Sequence, residues 1–94
     1  MPISLDAVVT RTRGLMSTPL DRDIVILNPA HDNYVALDDI GRRIWELLAE
    51  PWGVKDLCLK MTEEFHGSGN LITADIMTFL HELAGEGMIY VAKT

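Results

Sequence analysis

The side chains capable of chemistry are dispersed along this chain. His31, His66 and His81 fall in a turn, a loop and a helix face, and none stands at a metal-ligand spacing from Cys, Asp or another His. The single cysteine, Cys58, sits on the inward stripe of an amphipathic segment, where a buried, inert thiol is the ordinary outcome. Asp38 and Asp39 are adjacent carboxylates, but they stand where a helix begins, and there acidic residues cap free N–H groups. The glycines of Gly67-Ser68-Gly69 lack the preceding strand and following Lys-Ser/Thr of a phosphate loop. Trp45 and Trp52 read as packing anchors around the exit of the first helix. No catalytic constellation, metal site or cofactor site follows from these positions, and the expectation is a protein that is not an enzyme.

The elements that must position any other kind of site divide the chain in two. The first half is strand-like. A strand is expected over Gly14 to Thr18, stopped by Pro19, and a second over the β-branched run Ile24-Val25-Ile26-Leu27. After the turn Asn28-Pro29-Ala30-His31-Asp32, Asn33 to Leu37 is its hairpin partner, with Val35 and Leu37 on one face and Tyr34 and Ala36 on the other. Val8 and Val9 either extend the sheet or belong to a mobile arm comprising residues 1–13. The second half is helical. Asp38 or Asp39 caps a helix whose stripe is Ile40, Ile44, Leu47 and Leu48; Glu50-Pro51 ends it. A second helix from Gly53 carries Val54, Leu57, Cys58, Met61 and Phe65 on one face. A third, capped by Asn70 or Thr73, stops in Gly85-Glu86-Gly87, and Met88 to Val91 forms a short terminal strand or extended segment. The predicted fold is α+β, one domain over residues 1–94: a three-stranded N-terminal antiparallel sheet, then three helices, in a winged helix-turn-helix-like layout.

Charge and composition narrow the function. With 8 basic against 14 acidic residues and a net charge of −6, the chain is poorly suited to displacing counterions from phosphates. The third helix would be the reading helix of a winged DNA-binding regulator, the alternative function considered. Between Ile72 and Ala84 it contains no Lys or Arg, so nucleic acid is not the expected partner. No apolar run approaches the ~20 residues of a membrane span, and the N-terminus has no signal-peptide pattern. A cytoplasmic location is expected. The third helix is unusually apolar, with Ile72, Ile76, Met77, Phe79, Leu80 and Leu83 covering more than one stripe. Ile76 and Leu80 are core candidates; Phe79, with Ile72 and Leu83, is the candidate wall of an exposed groove.

Several of these segments together carry a resemblance. The strand pair Ile24 to Leu27 and Tyr34 to Leu37, then Gly41 with Ile44-Trp45-Glu46-Leu47-Leu48, the second helix from Val54 to Leu57, Asp75-Ile76 with Phe79-Leu80, and the closing Gly87-Met88-Ile89 resemble the PqqD-like family in order and spacing. Members of that family are precursor-peptide recognition elements. The resemblance implies a peptide chaperone that binds the leader segment of a ribosomally synthesised precursor as an added β-strand and presents it to modifying enzymes. It implies contacts from Asn33, Tyr34, Val35, Ala36 and Leu37 on the strand side, and from Ile72, Asp75, Ile76, Phe79 and Leu83 on the helix side. The positions where the name-giving member carries Pro-Glu and Cys-Asp-Gly read Asn28-Pro29 and Ala49-Glu50-Pro51. In this the chain is more similar to stand-alone leader-binding proteins of lasso peptide pathways. The partners implied are a leader peptide and enzymes such as a leader protease, a cyclase or a radical enzyme.

Overall fold

The computed structural model describes residues 3–65 and 73–93. The hairpin forms as its alternation requires. β1 (Val8–Arg11) is followed by β2 (Met16–Leu20), β3 (Asp23–Asn28) and β4 (Asn33–Leu37), and the last three make an antiparallel sheet in the order β2-β3-β4. Ile24 stands opposite Leu37 and Ile26 opposite Val35, so one face turns inward; Leu27 opposite Tyr34 and Val25 opposite Ala36 make the outer face. Asp21 and Asp32 take positive φ of 55° and 52° in the two turns, a conformation Asp tolerates better than most residues. Pro19 does not stop β2 as the sequence suggested; the strand runs through it to Leu20. β2 lies at the sheet margin, where a residue without an N–H need not cost a ladder bond.

A second sheet was not foreseen. Its order is β5-β1-β6, where β5 is Trp52–Gly53 and β6 is Ile89–Lys93. Its central strand is β1, so of the two readings of the N-terminal segment it is the strand that forms, within a sheet other than the hairpin's. Ile3, Ala7 and Val9 of that segment are buried. The preceding residues also serve a helix end. α2 (Val54–Glu64) has no side-chain cap at Gly53, and its first N–H groups donate instead to main chain: Val54 N to Ala7 O at 2.9 Å and Lys55 N to Leu5 O at 3.2 Å.

α1 (Asp39–Leu47) is capped by Asp38, whose Oδ1 accepts from Gly41 N at 2.8 Å. Near its other end, Trp45 O accepts from Arg11 Nε at 3.0 Å, and the same guanidinium lies 4.4 Å over the centroid of the Trp45 ring. α3 (Thr73–Gly85) ends in a Schellman motif: Gly87, at φ +75°, donates to Ala84 O at 3.0 Å, and Met88 donates to Leu83 O at 2.9 Å. The core joins Ile24, Ile26 and Leu37 of the hairpin to Ile44, Trp45 and Leu48 of α1, Val54, Leu57, Cys58 and Met61 of α2, and Ile76, Leu80 and Leu83 of α3. The result is an α+β fold of two small antiparallel sheets and three helices. Among the described residues, no helix is long and apolar enough to cross a membrane.

Candidate functional site

β4 lies at one margin of its sheet. Among the described residues it pairs with β3 alone. In an antiparallel strand with one neighbour, every second residue turns its N–H and C=O away from the sheet, and those groups form a template for another strand. β2, the opposite margin, carries Pro19 and is exposed at all five residues. β4 has a wall. A cleft of about 760 Å³ runs between it and the last two turns of α3. Tyr34, Val35, Ala36, Leu37 and Asp38 line one side; Phe79, Glu82, Leu83, Gly85 and Glu86 line the other.

Helical spacing explains the far wall. Phe79, Glu82 and Leu83 are related by steps of three and four residues and therefore share one face of α3, which Glu86, the residue after its end, continues. Two contacts set the width of the opening. At one end, Gly41 of α1 allows close approach: a Cβ placed there would lie 3.2 Å from both Leu37 Cβ and Phe79 Cζ. At the other end, Asn33 Nδ2 donates to Glu86 O at 3.0 Å and to Glu86 Oε2 at 2.9 Å, tying the start of β4 to the end of α3. Phe79 is half-buried, with part of the ring packed on the core and part on the cleft.

The expected contact residues are only partly brought together. Tyr34, Val35, Ala36, Leu37, Phe79 and Leu83 line the cleft, although Leu83 is 1% exposed and is at least as much core as wall. Asn33 sits at the cleft's end as the partner of Glu86. Asp75 is on the exposed surface of α3 and Ile76 is in the core at 1% exposure; neither borders the cleft. Ile72 lies outside the described residues. Asp38, Glu82, Gly85 and Glu86 were not anticipated as lining. The three- and four-residue steps from Phe79 would have found Glu82 and Glu86, but a search restricted to apolar residues passes over them.

The remaining reactive groups stay apart. No set of three or more His, Cys, Asp or Glu side chains that could hold a metal ion forms among the described residues. His81 Nε2 accepts from Ile3 N at 2.9 Å and so holds the N-terminal segment, His31 is exposed in the hairpin turn, and His66 lies outside the described residues. Cys58 is buried, and burial pushes its thiol up from the ordinary value, against a smaller opposing effect of a hydrogen bond with Thr73.

A strand margin bordered by a helix across a cleft defines the site. The comparisons with known proteins place the chain. The family model described as coenzyme PQQ synthesis protein D (PqqD) matches residues 23–89, and the chain belongs to that family. A solved structure of TbiB1 in complex with the TbiA(beta) leader peptide has the same fold, with a TM-score of 0.68 and 23% sequence identity over 85% of this chain and 93% of that one. No curated protein matches the chain.

Proposed function

We propose that this protein binds the leader segment of a ribosomally synthesised precursor peptide as a strand added to β4, and presents it to modifying enzymes without doing chemistry itself. The observation that carries the reading is the open margin of β4 facing a cleft walled by α3 and lined by both apolar and acidic side chains. The TbiB1 structure, which holds a leader peptide, supports it by likeness of fold. Membership of the PqqD family supports it as well.

The physics is that of β-augmentation: main-chain bonds along β4 supply affinity, and side-chain contacts supply register. A micromolar complex needs about 8 kcal/mol net. Each strand bond contributes about 1 kcal/mol and each fully covered apolar side chain about 1.5–3 kcal/mol, so a few of each offset the cost of ordering the guest. Tyr34, Val35, Ala36 and Leu37 on the strand, with Phe79 and Leu83 on the helix, are the proposed contacts; Asn33 holds the cleft's end, Ile76 supports the wall from the core, and Asp75 stands one turn before Phe79 on the same helical face. The pathway proposed is lasso peptide formation in the cytoplasm, with a leader-dependent protease and a cyclase as partners.

NMR titration with the leader of the precursor encoded beside this gene tests the reading. The amides of Asn33 to Leu37 and signals of Phe79 are expected to shift on binding. If they stay still while the same leader supports modification in the pathway, the assignment of the site is wrong. A salt-sensitive shift of DNA by the chain, with no peptide binding, would return the argument to a regulator.

A further inference from the structure

We infer that the segment seated in this cleft carries a Lys or Arg two residues from an apolar anchor, with the cation set against Glu82. The inference rests on the reading of the cleft as a leader site and specifies the chemistry of the guest.

The charged groups lining the cleft are Asp38, Glu82 and Glu86, and no Lys or Arg is among the lining residues. Two of these carboxylates already have work inside the chain. Asp38 Oδ1 accepts from Gly41 N at 2.8 Å, and Glu86 Oε2 accepts from Asn33 Nδ2 at 2.9 Å. The carboxylate of Glu82 has no hydrogen bond or ion pair among the described residues; its main-chain carbonyl accepts from Glu86 N at 3.1 Å. It stands on the wall between Phe79 and Glu86, opposite β4. A strand laid along β4 would cover Glu82 and strip water from it, and an ionised carboxylate covered without a partner opposes binding. A cation from the guest removes that opposition, and the net charge of −6 favours its approach at long range.

The register follows from the two repeats. Phe79 and Glu82 are about 4.5 Å apart along the helix axis, and Glu82 and Glu86 about 6 Å. Residues on the same face of a strand are about 6.8 Å apart. With one side chain of the guest at the Phe79 ring and the guest running along α3, the next on that face, two residues along, falls about 2 Å beyond Glu82, a gap that the long stem of Lys or Arg spans.

The test is a selection of displayed random ten-residue peptides on the full chain, followed by NMR mapping of each binder onto Asn33 to Leu37. Binders that map there are expected to be enriched in Lys or Arg two positions from a large apolar residue. Glu82→Gln should weaken their synthetic versions by about fivefold at low salt, and Glu82→Lys should select Asp or Glu instead. Because Glu82 is exposed, both variants are expected to fold, as checked by circular dichroism. Binders that map to β4 with no basic preference, unchanged by Glu82→Gln, overturn the inference and leave the leader reading standing. A selection that yields nothing mapping to β4 refutes the leader reading, and the inference with it.

Discussion

Gly41 offers the sharpest test of how the cleft is held open. In Gly41→Ala the new methyl would meet Leu37 Cβ and Phe79 Cζ at 3.2 Å and Asp38 Oδ1 at 3.3 Å, where carbon atoms prefer about 3.5–4 Å. A shift of roughly 0.5 Å is needed to relieve the contact. Leu37 is buried and its Cβ moves only with β4, whereas the half-buried Phe79 ring can swing toward the cleft. In an unhindered helix interior, glycine to alanine gains up to about 1 kcal/mol. Overpacking costs about 1–3 kcal/mol, so the expected sum is a loss of about 1 kcal/mol. Urea unfolding followed by the fluorescence of the buried Trp45 measures it. With Phe79→Ala in the background one of the two tight carbon contacts is gone, and the cost of Gly41→Ala should fall by about 1 kcal/mol. The displaced ring should also narrow the cleft and weaken leader binding several-fold. If Gly41→Ala instead stabilises by the full helix-propensity gain and adds independently to Phe79→Ala, the contact between α1 and α3 is not what sets the opening.

Three further outcomes are expected. Phe79→Ala should cost about 1–2 kcal/mol of stability, less than a fully buried aromatic, but at least 2 kcal/mol of leader binding by titration calorimetry; equal losses would make Phe79 a core residue only. Gly87→Ala should destabilise by about 1 kcal/mol in thermal melts, because φ +75° strains a residue with a Cβ, and a neutral result would refute the Schellman end of α3. The carboxyl of Glu64 is held down at about 2, chiefly by its hydrogen bonds with Arg43 at 2.7 and 2.9 Å, with Lys60 assisting. Its folded value is depressed from 4.5, so the pair's stabilisation is present above about pH 4.5 and is lost as pH falls through about 2. Solvent screening limits that contribution to about 1 kcal/mol or less. Glu64→Gln should therefore flatten the stability curve over that window, and an unchanged slope would count against the pair.

Much of the molecule could be read without coordinates because its signals are local. The alternation from Asn33 to Leu37, the Asp38 cap and the 3.6-residue stripes of α1 and α2 each depend on neighbours within a few residues, and the hairpin, α1 and α2 stand close to where those signals place them. The small second sheet escaped notice because β1 is paired with segments some 45 and 80 residues away, and β5 has only two residues. Pro19 misled because its effect depends on whether a strand is central or marginal, which is a property of the sheet.

The site divides along the same line. Amino-acid order alone determined that β4 would be a short amphipathic strand leading into a capped helix, and that α3 would be too apolar to be satisfied by one stripe. Which of those apolar side chains face outward was decided by packing: Ile76, Leu80 and Leu83 are held in the core, while Phe79 is left at its edge. That the outer edge of β4 has no partner strand among the described residues, that the Phe79 ring comes up against Gly41, and that Asn33 reaches Glu86 depend on residues distant in sequence. Local propensity carries no information about such partners; only the closure of the chain into one core brings them within reach.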